Sequence, residues 1–496
     1  MERKPAPLVE GSHSPFEKFL WGALIISLSF TDFCFFGETL GNFGALSTFI
    51  ILFLWIALLP RIIRGEFRFG IKEGSVRLLG LFVLICALSI LLSAQAPTAV
   101  WSARSPWSLG VREFIQLVWG VSIVFLTIHF IRTWKDFRSA LQCCFIGFIF
   151  ATCAGILETY NFYYGNNVTF EIQKFLNTFG HVASYFSALR LSLLSPEPSM
   201  AANYLLCFMP FLLFRAYYWK SSRWSVYFAA LSGLLLLGTF SVGGITTFVC
   251  QVLIALFILQ HRALGKILLA TALPVILLLV TYPRPGQVFI ERLRDIASSP
   301  GGYASANSVR GRTAQVETAY NTFLDHPILG VGIGNEVFYV LEEVPDWATR
   351  DPVVSSWIVS NIRTPGAMAA NNLIVQIFAE TGIAGGLIFV LFLVSILRDC
   401  FRLFISAKEP WKKAVYVSIL LALAGQIIHY MGMGGWYFRY WFFVWGLAIS
   451  AKYLNSQTDP RFLRSPNVSR RPSVAPVKNL TGRMGVGEQK RWIRQL

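Results

Sequence analysis

Long apolar stretches recur from one end of the chain to the other and alternate with shorter polar segments. A helix that crosses a bilayer needs about 20 mostly apolar residues. This pattern predicts an all-α polytopic transmembrane helical bundle of about 12 spans. The predicted spans are 19–36, 42–60, 78–94, 113–131, 139–157, 200–214, 224–240, 243–260, 266–281, 373–397, 414–431 and 436–451.

The composition agrees with a membrane protein. The chain is 55% hydrophobic and 14% charged, with 43 Phe and 15 Trp, whereas a soluble domain carries about 25% charged residues. A water-soluble fold could not hide so much apolar surface, so a cytosolic enzyme, a secreted disulfide scaffold and a disordered chain are excluded. The eight cysteines include no CxxC pair, so neither a zinc site nor a redox pair is expected.

The net charge of +17 follows the predicted topology. Most of the 43 Lys and Arg residues fall in the segments that twelve spans place inside. Cytoplasmic loops of membrane proteins carry such an excess. The basic balance therefore needs no nucleic-acid partner, and it predicts that both termini are cytoplasmic.

Twelve spans divide the chain into five parts. These are a cytoplasmic N-terminal segment (1–18), nine spans with an outside loop at 158–199 (19–281), a large extracytoplasmic, periplasmic loop between spans 9 and 10 (282–370), three further spans (371–451) and a basic, disordered cytoplasmic tail (452–496). The large loop, at about 90 residues, is too long for a mere connection and is expected to be functional.

Within this loop, residues 312–325 have the pattern of an amphipathic helix, with Ser308 as its candidate N-cap. Arg312 lies one helical turn before the first apolar residue, so it is predicted to share the buried face. An arginine there must pair with a carboxylate or point at an anionic ligand. The apolar residues of this face are Val316, Ala319, Tyr320, Phe323 and Leu324.

Pro327 ends the predicted helix, and three alternating glycines follow: Gly330, Gly332 and Gly334. Such glycines permit positive φ or close approach of the backbone. The Lys and Ser/Thr of a nucleotide-binding P-loop are absent. The segment is therefore predicted to be a tight turn that returns the chain to the membrane.

The next span opens with a polar face. Asn372, Gln376 and Glu380 recur at helical spacing, so they should point into the bundle or line a wet cavity. Interhelical hydrogen bonding and an active site both fit this face. Other ionisable residues in or near the spans are Asp32, His429 and Arg439; for Asp32 and His429, packing and function fit equally well.

Two motifs together resemble the bacterial O-antigen ligase/polymerase superfamily. The first is Gly311-Arg312, then His326-Pro327, then Gly330-Val331-Gly332; the second runs from Asn371-Asn372-Leu373 to Ala379-Glu380-Thr381-Gly382-Ile383-Ala384-Gly385-Gly386. The turn Ser195-Pro196-Glu197-Pro198-Ser199 is also similar, with lower specificity.

The resemblance implies a metal-independent, inverting glycosyltransferase in the bacterial cytoplasmic membrane, with no cofactor. Such enzymes take a glycan from undecaprenyl diphosphate on the outer face. Polymerases pass it to another lipid-linked repeat unit, and ligases pass it to lipid A-core. The expected partners are the lipid-linked donor and acceptor, the bilayer and, for a polymerase, a chain-length regulator.

The resemblance also assigns residues. Arg312 is the first candidate for diphosphate binding, followed by Arg310 and Arg190. A solvated basic face is the alternative for Arg312 and Arg310. An interfacial anchor is the alternative for Arg190. The implied catalytic set is Arg312, Glu197 and Asn371, with Asn372, Gln376 and Glu380 lining the cavity.

The chain departs from the family at one position. Many members, the ligases especially, have a histidine where this chain has Asn371, and a carboxamide cannot accept a proton. The departure favours a polymerase over a ligase. Glu197, Glu317 and Glu380 are candidate replacement bases, although Glu197 could simply shape its turn, and His326 fits a turn residue. A transporter or flippase of lipid-linked or polar solutes is the alternative from another class.

Overall fold

The computed structural model describes residues 13–30, 45–94, 96–97, 105–164, 171, 190–195, 197–218, 223–259, 307–361, 369–436 and 438–458. The secondary structure of these residues is helical, without a strand. The main helices are α1 (Pro15–Ser27), α2 (Leu46–Ile63), α3 (Gly74–Ser89), α4 (Pro106–Phe130), α5 (Trp134–Tyr164), α6 (Pro198–Tyr218), α7 (Arg223–Gly238), α8 (Val242–Leu259), α9 (Asn307–Asp325), α10 (Pro352–Asn361), α11 (Leu373–Ser406), α12 (Pro410–Tyr430) and α13 (Arg439–Thr458). Short helical turns, among them Glu336–Tyr339, lie between α9 and α10.

Helices lie at every predicted span except 266–281, which is outside the described residues. The all-α class is therefore confirmed for the described part of the chain. Six helical segments there are long and apolar enough to cross a membrane: Leu46–Ile63, Gly74–Leu92, Pro106–Phe130, Trp134–Asn161, Leu373–Ser406 and Pro410–Tyr430. Three shorter apolar helices accompany them, and a total of twelve spans stays a prediction.

Burial ranks these helices from the centre of the bundle to its edge. The most apolar stretch of α12 is 78% buried, whereas that of α2 is 28% buried. Helix α12 packs between α6 and α11, and α13 packs against α4. The interior is filled by large aromatic side chains, including Tyr430, Trp436, Trp441 and Trp445. Of the six candidate spans in the described part of the chain, α12 is therefore the most buried and α2 the least.

Helix α11 is broken near its beginning. Gly382 has φ 62° and ψ −166°, which no right-handed helix contains. The turn after α9 fills the break: Val331 N donates to Ala379 O at 3.0 Å, Gly332 N to Glu380 O at 2.8 Å, and Ile383 N to Pro327 O at 2.8 Å. A break at membrane depth is tolerated only where its freed backbone groups find partners. The glycine-rich turn supplies those partners.

The backbone of the glycine-rich turn and the backbone at the break in α11 approach so closely that glycine is needed on both sides. Gly330, Gly332 and Gly334 all have positive φ, as the sequence predicted. A Cβ atom on Gly330 would lie 2.6 Å from Ala379 O, and one on Gly382 would lie 2.6 Å from Leu329 N. Real Cβ atoms do not approach backbone so closely. The tight turn is therefore present and packs against the break in α11, whereas its expected role of returning the chain to the membrane stays a prediction.

We expect Gly382→Ala to destabilise the protein. The backbone conformation alone should cost roughly 1–3 kcal/mol in a residue with a Cβ, and the overlap with the turn adds to this cost. The measurement is the thermal unfolding midpoint of the detergent-solubilised protein. Gly80→Ala is the matched control, because a Cβ at Gly80 in α3 meets nothing within 4 Å. Equal midpoints for the two variants would contradict the proposed constraint.

Candidate active site

Helix α9 positions the arginine of the first motif, but not on the face that the sequence predicted. The helix begins at Asn307 rather than at 312, so Ser308 lies inside it and is not its N-cap. The predicted apolar face is wrong in part, since Tyr320 is 50% exposed and Leu324 is 53% exposed. The buried face consists of small or polar residues: Ala314, Gln315, Thr318, Ala319 and Thr322.

Small side chains on this face let α9 lie close against α11. Ala319 packs with Ala370 and Ala379, and Phe323 contacts Phe378 with ring centroids 5.4 Å apart. Small residues allow close approach of helix backbones, as in membrane helix pairs. Close contact, rather than bulk hydrophobicity, therefore decides which face of α9 is buried.

Arg312 is exposed, so the prediction that it lies on the buried face is wrong. Among the described residues, no carboxylate pairs with its guanidinium. Its charge acts electrostatically on the ring of His429, in the last turn of α12. An exposed guanidinium without a carboxylate partner in the described part of the chain fits both the anionic-ligand role and the solvated basic face.

The beginning of α11 lies beside Arg312. The Asn371 side chain donates a hydrogen bond from Nδ2 to Oε1 of Gln315, which lies three residues after Arg312 on α9. Asn372 is the N-cap of α11, and its Oδ1 accepts from Ile374 N at 3.1 Å and from Val375 N at 3.2 Å. We call Arg312, Gln315, Asn371 and His429 the Arg312 cluster.

Gln376 and Glu380 point into the bundle, as predicted. Gln376 Nε2 donates to Glu380 Oε1 at 2.8 Å, and Gln376 Oε1 accepts from Gly435 N at 3.0 Å. Both side chains are buried. The first bond lies within α11, and the second joins α11 to the segment between α12 and α13, which matches the interhelical alternative for this polar face.

A further buried carboxylate, Glu336, was missed by the sequence analysis. Its Oε1 accepts from Ala370 N at 2.6 Å, directly before Asn371. Burial raises the pKa of Glu336 from an ordinary value of 4.5 to about 8, and the backbone hydrogen bond opposes this shift. Glu336 also lies close enough to Glu380 for their charges to interact. Nothing in the local sequence distinguishes Glu336 from the exposed acidic residues of the loop.

Arg310 and Arg190, the two further candidates for diphosphate binding, have partners inside the protein. Arg310 forms an ion pair with Asp351, with Nη1 and Oδ2 2.6 Å apart. Arg190 donates from Nε to Thr239 O at 3.0 Å and so joins its segment to the end of α7. Neither residue is brought into the Arg312 cluster by a described contact.

Most of the other predicted groups are also engaged elsewhere. Glu197 precedes α6 and accepts a hydrogen bond from Ser199 Oγ at 2.7 Å, whereas Glu317 accepts from Trp347 Nε1 at 2.8 Å. His326 is exposed and contacts the ring of Tyr339 edge-on at 5.2 Å. Asp32 lies outside the described residues. Arg439 donates to the hydroxyls of Ser47 and Thr48.

Across the described part of the chain, no group of three or more His, Cys, Asp and Glu side chains could hold a metal ion.

Comparison with known families places this geometry in context. Residues 227–390 match the model of the O-antigen ligase family. This part of the chain is similar to the O-antigen ligase family. It contains α9, the glycine-rich turn and the break in α11, so the resemblance drawn from the two motifs is confirmed. Arg190, Glu197 and His429 lie outside the matched residues. A search of curated proteins found no match.

We expect Glu336 to make the stability of the protein depend on pH. Because its folded-state pKa is raised to about 8, its contribution is fully present below the unfolded pKa of about 4.3. That contribution is lost as the pH rises through 8, with a slope of at most about 1.4 kcal/mol per pH unit. The thermal midpoint of the wild type should fall from pH 6 to 9 more steeply than that of Glu336→Gln.

Glu342→Gln is the matched control, because Glu342 is exposed on the same loop. It should reproduce the wild-type slope. Parallel pH curves for wild type and Glu336→Gln would contradict this account of the buried carboxyl.

Proposed function

We propose that the protein is a membrane glycosyltransferase of the O-antigen ligase/polymerase type that polymerises undecaprenyl-diphosphate-linked polysaccharide repeat units. The observation that supports this most directly is the exposed Arg312 guanidinium, which has no carboxylate partner among the described residues. It lies within the matched O-antigen ligase region, on the helix that Gln315 joins to Asn371 before α11.

An arginine in this setting suits a diphosphate. The planar guanidinium donates two parallel hydrogen bonds to phosphate oxygens. No carboxylate among the described residues pairs with the Arg312 guanidinium. Its N–H groups are therefore available to a ligand. As the glycosyl bond breaks, negative charge develops on the leaving diphosphate, and a fixed cation stabilises that charge. Arg310, paired with Asp351, is less available for this role.

The proposed reaction is an in-line displacement. The acceptor hydroxyl oxygen bonds to the anomeric carbon of the donor while the bond from that carbon to the diphosphate oxygen breaks. Configuration at that carbon is inverted, and undecaprenyl diphosphate leaves. On this proposal the reaction takes place on the outer face of the cytoplasmic membrane, both chain termini are cytoplasmic, and the polyprenyl tails remain in the bilayer beside the bundle.

The acceptor decides between a polymerase and a ligase. Asn371, bonded to Gln315, stands where the ligases have a histidine, and this favours the polymerase, for which a chain-length regulator is an expected partner. The description of the matched family as O-antigen ligase favours the second candidate, transfer of the glycan to lipid A-core.

We expect Arg312→Ala to abolish product with little change in membrane abundance. Loss of a positioned transition-state cation should lower the transfer rate by about 100-fold or more. Arg312→Lys should recover part of that loss, since it restores the charge without the fork. The measurement is the chain-length distribution of glycans in cells lacking the wild-type gene.

Arg350→Ala is the matched control on the same loop, because Arg350 is exposed and pairs only with exposed Asp346 among the described residues. Full-length polymer from Arg312→Ala would contradict the site.

Reconstitution separates the candidate functions. The purified protein is supplied with undecaprenyl-diphosphate-linked repeat units from its host, with and without lipid A-core. We expect a ladder of longer lipid-linked glycans in the absence of core. Transfer that requires core would replace the polymerase with the ligase. Absence of transfer in both cases would contradict the glycosyltransferase and direct the test to flipping of the same lipid.

A further inference from the structure

His429 is a buried imidazole at the edge of the Arg312 cluster. It lies in the last turn of α12 and is 4% exposed. Met433, four residues later, contacts the ring and also accepts a hydrogen bond from Leu373 N at 3.0 Å through its backbone oxygen. The end of α12 is therefore tied to the beginning of α11, two residues after Asn371, and the charge of Arg312 acts on the ring.

The contacts of the ring assign its tautomer. His429 Nε2 lies 2.7 Å from Sδ of Met433. A thioether sulfur can only accept a hydrogen bond, so Nε2 carries the proton in the neutral ring. Nδ1 then holds the lone pair, and it has no hydrogen-bond partner among the described residues. A buried nitrogen without a partner calls for an explanation, and catalysis is one.

The candidate bases named from the sequence have other hydrogen-bond partners, and the buried carboxyl group of Glu336 accepts from Ala370 N with one of its two oxygens. Glu197 is bonded to Ser199, Glu317 to Trp347 and Glu380 to Gln376. Asn371 cannot accept a proton. In the described part of the chain, His429 is the basic group on which the charge of Arg312 acts.

We propose that His429 is the general base that accepts the proton of the attacking acceptor hydroxyl, an inference that rests on the proposed glycosyl transfer. A diphosphate held by Arg312 brings the anomeric carbon toward the ring. As the new bond from oxygen to carbon forms, the hydroxyl proton passes to Nδ1. The electron pair of the breaking bond leaves with undecaprenyl diphosphate. The imidazolium then returns its proton to water or to the released diphosphate.

The test compares His429→Gln with wild type in the reconstituted transfer assay. Glutamine keeps an N–H donor for Met433 but cannot take up a proton. We expect kcat to fall by about 100-fold or more, the usual contribution of a general base, while KM for the lipid-linked repeat unit changes little. The matched control is His326→Gln, the loop histidine that contacts Tyr339, which should keep wild-type kcat.

Two results would overturn the inference: a His429→Gln protein with wild-type kcat, or one whose loss lies in KM alone. If that variant is not recovered as a folded protein, His429→Ala is assayed with added imidazole. Restoration of at least part of the rate supports the base, and a folded but unrescued variant contradicts it. A wild-type protein that transfers nothing would instead contradict the proposed function, so the two failures are distinguishable.

Discussion

The backbone pairing between the glycine-rich turn and the break in α11 is the constraint on which the rest of this structure depends. Helix α11 enters the bundle, stops at Gly382 and resumes, and its interrupted hydrogen bonds are completed by Pro327, Val331 and Gly332. Apolar surroundings make unpaired backbone groups costly, so the loop and the helix cannot separate without loss of both. This pairing fixes the end of α9 against the membrane part and thereby places Arg312 over the beginning of α11.

Buried polar groups reinforce the same junction. Glu336 accepts from Ala370, and Glu380 is joined through Gln376 to Gly435. A carboxyl group is costly to bury unless it is hydrogen-bonded or neutral, and the raised pKa of Glu336 has that origin. These groups connect the loop, α11 and the segment between α12 and α13. Two buried polar atoms at this junction, Glu336 Oε2 and His429 Nδ1, have no hydrogen-bond partner among the described residues.

The apolar pattern predicted the helices well, because a run of about 20 apolar residues has few alternatives in a membrane. It also located the turn, since Gly330, Gly332 and Gly334 have no other common explanation at that spacing. The orientation of α9 could not be predicted in the same way. Hydrophobicity selected Tyr320 and Leu324, but close packing selected Ala319 and the small polar residues. Glu336 and His429 lie in segments without a distinguishing local motif, so only the three-dimensional arrangement shows that they belong near the site.

The position of His429 changes the meaning of Asn371. The resemblance drawn from the sequence implies a histidine at this position, so asparagine there predicts the loss of a catalytic group. In the structure, Asn371 is bonded to Gln315 at the base of α9, while an imidazole with an unpartnered nitrogen among the described residues lies at the end of α12, near Arg312. A base needs the right position relative to the reacting hydroxyl and not a particular place in the chain. A histidine on a neighbouring helix can therefore serve a site whose own motif lacks one. If so, the departure at Asn371 carries information about the acceptor that must fit beside it, rather than about loss of catalysis.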